Sequence, residues 1–207
     1  MNQTIYTLIS DGGIQEEISQ GAGRIAGTLK LNNLVMYYDS NDIQLPTSTE
    51  DVTSEDVEAK YKAWGWRVIT IDGNNPTEIR AALTEAKLEK EKPVIIIGKS
   101  VMAKGTINAD GSAYKNLIAT HGQPLSAAGA SFEKTVECLG GDPKNPFTIF
   151  PEVNELYAKR AAELNEIVAK EYAKKEAWAK ENPELAKKME AWFKKDYVPT
   201  VNWDAIQ

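Results

Sequence analysis

The sequence predicts an α/β domain: a parallel sheet flanked by helices, followed by a helical connector. Three observations carry this. β-rich runs alternate with helical patterns through the first hundred residues, the signature of strands joined by crossover helices. Val94-Ile95-Ile96-Ile97 is an unbroken apolar run, as in a sheet covered on both faces. From Pro151 onward the composition changes to Ala, Glu and Lys. The expected division is residues 1–142 for the α/β part and 143–207 for an extended linker and connector arm.

The first element is the run Thr4 to Ile9, which reads as a strand closed by the Gly-bearing turn Ser10-Asp11-Gly12-Gly13. Ile14, Ile18, Ala22, Ile25, Ala26 and Leu29 then recur at helical spacing. Gly21, Gly23 and Gly27 sit inside that pattern, each costing about 1 kcal/mol relative to alanine in a helix interior. Close backbone approach to a neighbour would account for them, with loose packing as the bland alternative. Leu34 to Tyr38 is a second strand, ending at Asp39-Ser40-Asn41-Asp42-Ile43, and Leu45 to Thr49 is a loop. Ser54, followed by Glu55 and Asp56, marks a helix start, with Val57, Tyr61 and Trp64 as its apolar stripe and Gly65 as its end. Trp66 to Ile71 is a third strand. Asn75-Pro76-Thr77-Glu78 is an N-cap, a proline at the first helical position and an acid at the third. That helix turns Ile79, Ala82, Leu83 and Ala86 inward, and Pro93 precedes the fourth strand.

Between Gly98 and Pro124 no period holds; loops of this length in compact domains are usually functional or disordered. Ser126 to Leu139 returns to a helical pattern. Glu152–Ala179 and Pro183–Lys195 are expected helices with oriented pairs such as Glu171–Lys175 and Glu190–Lys194, each worth a few tenths of a kcal/mol. Leu156, Leu164, Ile167, Val168, Leu185, Met189 and Trp192 form a narrow apolar stripe along them.

Composition narrows the function. The apolar fraction is 42% and the charged fraction 26%, values of an ordinary globular chain. A net charge of −6 argues against a nucleic-acid or membrane surface. No run of about 18 apolar residues is present, so no membrane span is expected. The single cysteine, Cys138, excludes an internal disulfide, and residence in the cytoplasm is the default expectation. A strand within three residues of the first methionine leads to the expectation of a fragment, or of a small subunit completed by another chain.

The chemistry-bearing residues lie at strand ends. Ligand sites in parallel sheets form outside the carboxyl ends of the strands. Asp11 and Asn41, each just after a strand and thirty positions apart, are therefore candidates to meet on one rim. Both residue types are also ordinary turn formers. A carboxylate, an amide oxygen and a nearby carbonyl are hard ligands suited to Mg²⁺ or Ca²⁺, with phosphates and water completing the shell. Gly12 and Gly13 would let a diphosphate approach the backbone.

Ser10-Asp11-Gly12, the thirty-residue gap and Asn41 resemble the thiamine-diphosphate motif. Ala26-Gly27-Thr28-Leu29, Tyr38-Asp39-Ser40-Asn41-Asp42-Ile43, Ala63-Trp64-Gly65-Trp66-Arg67-Val68 and Thr120-His121-Gly122-Gln123-Pro124-Leu125 are similar to transketolase in particular. The blocks run in order from Thr4 to Leu139. The resemblance implies the thiamine-diphosphate-binding fold, here incomplete. It also implies Asp11, Asn41 and the Ile43 carbonyl as metal ligands, Gly12, Asn41 and His121 as contacts to thiamine diphosphate, and His121 and Glu16 as catalytic residues. It implies further the transfer of a two-carbon ketol unit between sugar phosphates, a homodimer in the full assembly, and a need for the remaining transketolase domains in cis or trans. Ser10 departs from the motif's first glycine, and Gln20-Gly21 stands where transketolases often carry His-Glu. Two other readings compete: a module that binds cofactor and metal without catalysis, and an inert structural fragment. Related families, 1-deoxyxylulose-phosphate synthase and 2-oxoacid dehydrogenase components, are disfavoured by the Trp64-Gly65-Trp66 and His121 blocks.

Overall fold

The computed structural model describes residues 3–45, 47–122, 124–196 and 205. Pro46 of the expected loop, Gln123 of the histidine block and residues 197–204 of the connector lie outside them. The chain divides into two compact units, residues 1–146 and 147–207.

The first unit is a four-stranded, wholly parallel sheet in the order β1 (Ile5–Ser10), β2 (Leu34–Ser40), β4 (Val94–Lys99), β3 (Arg67–Asp72). Side-chain alternation along these strands builds two cores. On one face Met36, Tyr38, Ile95 and Ile97 pack with Ile14, Ala26, Tyr61 and Trp66. These come from α1 (Asp11–Gln15), α2 (Glu17–Thr28), α3 (Val57–Ala63) and the residue before β3. On the other face Val35, Val94 and Ile96 pack with Ala82 and Ala86 of α4 (Pro76–Leu88). β4, central and covered twice, is the apolar run that the sequence marks out. β1 is an edge strand, with Ile5, Tyr6 and Leu8 exposed.

The helix expected over residues 14–29 is two helices. Helix α1 begins directly at Asp11, so the glycine turn is itself helical, and Glu16 breaks the run with an extended backbone (φ −64°, ψ 133°). The apolar stripe also differs from expectation. Ile18 is 88% exposed and Ile25 and Leu29 face outward, whereas α2 buries Gly23, Ala26 and Gly27. The glycines explain this. A Cβ at Gly27 would land on the Trp64 carbonyl, and the Trp66 indole N–H donates to the Gly23 carbonyl at 2.7 Å. Helix α2 therefore docks on the Trp64-Gly65-Trp66 block through its backbone. Gly21 has nothing near it, and close approach does not account for it.

Two further helix boundaries differ from expectation. Helix α3 starts at Val57 rather than Ser54, because the Asp56 carboxylate is the cap, accepting from Ala59 N–H at 2.9 Å. The helix expected from Ser126 is confined to α5 (Phe132–Cys138). Gly129 at φ 107° interrupts it, and the Ser131 hydroxyl caps the shortened helix. For α4 the reading is met: the Asn75 side chain accepts from Thr77 and Glu78, with Pro76 at the first position.

The second unit contains α6 (Pro151–Glu181) and α7 (Pro183–Phe193), separated at Asn182 ahead of a proline. Lys194 pairs with Glu190 at 2.7 Å, while Glu171 pairs with Lys174, one residue short of the expected Lys175. Leu156, Leu164, Ile167 and Val168 are exposed.

Candidate metal and diphosphate site

Strand register builds the site. Ser10 pairs with Asp39, so the residue after β1 arrives beside the end of β2. Asp11, the first residue of α1, lies 2% exposed at that junction. Its carboxylate takes three hydrogen bonds. The Tyr38 hydroxyl donates to Oδ1 at 2.6 Å, and the amides of Asn41 and Asp42 donate to Oδ2 at 3.0 and 3.1 Å. Asp11 and Asn41 thus meet on one rim. Asp42 sits in the left-handed region (φ 65°), which folds the chain back so that the Asn41 side-chain oxygen accepts from Ile43 N–H at 3.1 Å. No main-chain N–H among the described residues donates to the Ile43 carbonyl.

Among the described residues no cation pairs with Asp11. Burial pushes its carboxyl above the ordinary range, against the Tyr38 and main-chain hydrogen bonds that lower it, and Asp42 nearby adds to the rise. The same burial pushes the Tyr38 phenol well upward. A buried carboxylate held by donors yet lacking a positive partner is the donor chemistry a divalent cation would complete. No group of three His, Cys, Asp or Glu side chains gathers among the described residues.

Gly12, Glu16 and His121 come to one place. With Ser10, Gln15 and Gln44 they line an open pocket of about 470 Å³. A Cβ at Gly12 would meet nothing within 4 Å, so the backbone there faces free space, whereas one at Gly13 would press on the Ile9 side chain. His121 follows the short turn Ile118–Thr120, and its Nδ1 is buried with no hydrogen-bond partner among the described residues. Glu16 is exposed at the break between α1 and α2.

A second cavity of about 850 Å³ lies along the loop after β2, reached by Ser40, Asn41, Asp42 and Ile43. Gln15 lines both cavities, donating to the Asp11 carbonyl at 3.0 Å and to the Gln44 side chain at 2.7 Å. Lys99 donates to the Ser40 hydroxyl at 2.8 Å. Tyr38, Gln15 and Gln44 were not among the site residues the sequence singled out. Only Tyr38 offered a signal, as a hydroxyl ending an apolar strand run three residues before Asn41.

Comparison with known proteins agrees with this architecture. The family model for the transketolase thiamine diphosphate binding domain matches residues 1–197. The Treponema pallidum transketolase is 33% identical over 188 residues, which cover 91% of this chain and 27% of that protein. The Halalkalibacterium halodurans transketolase is 34% identical over 207 residues, covering 97% and 29%. A Pichia stipitis transketolase crystal structure in complex with sedoheptulose-7-phosphate superposes with a TM-score of 0.81 at 28% identity, again covering 97% and 29%. The chain therefore spans less than a third of the length of these relatives. On the extent of the family match, this chain belongs to the transketolase family, through its thiamine-diphosphate-binding domain.

Proposed function

We propose that this chain supplies the metal–diphosphate clamp of a transketolase, and that ketol transfer between sugar phosphates requires the remaining domains in cis or trans. The observation that carries the reading is the buried Asp11 carboxylate, tied to the amides of Asn41 and Asp42 and with no cationic side chain paired to it among the described residues, within a domain of this family. Asp11, the Asn41 amide oxygen and the Ile43 carbonyl would hold Mg²⁺, or Ca²⁺ as a second candidate. Gly12, Asn41 and His121 would contact the cofactor.

When bound, thiamine diphosphate supplies the carbanion chemistry by which the family moves a two-carbon unit. This chain's residues bind and orient. The open space at Gly12 admits a diphosphate to the α1 backbone without a side chain in the way. The Nδ1 of His121, with no partner among the described residues, would give the pocket a polar atom that a phosphate or sugar oxygen could satisfy. Glu16, exposed on the pocket wall, would take the catalytic role that the family resemblance implies only with groups reaching it from outside this chain. Sugar phosphates as substrates are supported by the Pichia stipitis complexes with xylulose-5-phosphate and sedoheptulose-7-phosphate. A homodimer in the full assembly and a cytoplasmic location follow from the family reading. Among the described residues no helix is long and apolar enough to cross a membrane.

Calorimetric titration with Mg²⁺ and thiamine diphosphate tests the clamp. Binding by the unaltered chain that is lost in Asp11→Ala is the expected result. Absence of binding even with the remaining domains supplied would refute it. Binding without transfer in any reconstituted assembly would leave a non-catalytic module.

A further inference from the structure

We propose that Tyr38 is a positioning residue for the metal: its hydroxyl sets the Asp11 carboxylate so that Oδ1 alone keeps a lone pair for the cation. The inference rests on the clamp reading above. It starts from a count of acceptor sites. An ionised carboxylate offers about four lone-pair positions, two on each oxygen. The Asn41 and Asp42 amides both donate to Oδ2 and fill it. Oδ1 takes only the Tyr38 hydroxyl, at 2.6 Å, and retains one position. Asp11 is thereby restricted to binding through a single oxygen, in a direction fixed by the phenol.

Tyr38 is suited to this by its place in the fold. It stands on β2, 6% exposed, with its ring in the cluster formed by Ile14, Ala26, Tyr61, Trp66, Ile95 and Ile97. The ring cannot swing away without opening that core. The same hydrogen bond steadies the carboxylate that holds the two loop amides, so Tyr38 also bears on where Asn41 and Ile43 stand. Mg²⁺ demands near-ideal octahedral geometry and tolerates little error in ligand direction. Partners that orient metal ligands are typically worth 10–100-fold in affinity.

The molecule carries its own control. Tyr61 belongs to the same cluster, is fully buried, and its hydroxyl has no hydrogen-bond partner among the described residues. Tyr38→Phe and Tyr61→Phe each remove one buried phenolic oxygen and keep the ring. Only the first touches Asp11.

The test uses the full chain and two readouts. In metal-free protein, amide hydrogen exchange at Asn41 and Asp42 should quicken about tenfold or more in Tyr38→Phe and stay unchanged in Tyr61→Phe. Mg²⁺ titrated at saturating thiamine diphosphate should bind about 10–100-fold more weakly to Tyr38→Phe alone. Unchanged exchange and affinity in Tyr38→Phe, or equal losses in both variants, would overturn the inference. If the unaltered chain binds no Mg²⁺ even with the remaining domains supplied, the clamp reading fails and the metal role of Tyr38 fails with it. The exchange comparison still decides separately whether the hydroxyl holds the carboxylate. Should Tyr38→Phe not fold, the hydroxyl proton of Tyr38 in the unaltered chain replaces it. Its NMR resonance should shift on Mg²⁺ binding, and a resonance unmoved at saturation refutes the proposal.

Discussion

The same substitution at two glycines of one helix should have opposite signs. Gly27→Ala places a methyl on the Trp64 carbonyl, a main-chain atom that cannot rotate aside. Helix α2 must then lift from the Trp64-Gly65-Trp66 segment, which costs about 1–3 kcal/mol in overpacking. Lifting also parts the Trp66 indole N–H from the Gly23 carbonyl, and a buried donor left unsatisfied costs about 1–3 kcal/mol more. Against this, alanine gains about 1 kcal/mol in helix propensity. The expected result is a net loss of about 1–5 kcal/mol. Gly21→Ala, with nothing within 4 Å of the new methyl, should gain about 0.5–1 kcal/mol. Urea unfolding followed by far-UV circular dichroism gives both values. A neutral or stabilising Gly27→Ala, or a Gly21→Ala that destabilises by a similar amount, would refute the backbone-docking account of α2.

Two other predictions concern charge and capping. The Asp11 carboxyl is raised in the fold, chiefly by burial, so the native state holds its proton more tightly than the unfolded chain. That contribution is fully present below the unfolded carboxyl range and is lost as pH rises through the raised value. Metal-free urea midpoints should therefore decline with pH across that window relative to Asp11→Asn, in which the difference vanishes; parallel profiles would reject the argument. Asn75→Ala removes the acceptor for the Thr77 and Glu78 amides and should cost about 1 kcal/mol, read as a shift in urea midpoint without a change in slope.

The sheet was legible because its signals are local. Pro93 before an unbroken aliphatic run, the Asn75-Pro76 start and strand-length β-branched stretches each depend on neighbouring residues alone. Asp11 and Asn41 could be placed on one rim because parallel strands with crossover helices put all their carboxyl ends together. What could not be read depends on contacts made at a distance. The exposure of Ile18 and Ile25 follows from Gly23 and Gly27 seating on tryptophans some forty residues later, which hydrophobic periodicity does not encode. The break at Glu16 carries no glycine or proline to announce it. Tyr38 reads as one more aromatic residue in a strand whose only sequence signal is its place three residues before Asn41, and its bond to Asp11 shows only in the fold.

The edge strand β1 has a consequence for the chain as a material. Ile5–Ser10 pairs through one side with β2, and among the described residues no strand takes the other. Natural sheets blunt such edges with lysine, proline or a bulge. This strand contains no lysine or proline, and it exposes Leu8 at 74%. It is a template for further extended chain, whether that is the complementary part of a domain or another molecule in an aggregate. Aggregation of the isolated chain should therefore rise steeply with its concentration, measured by light scattering, and Leu8→Lys should suppress it.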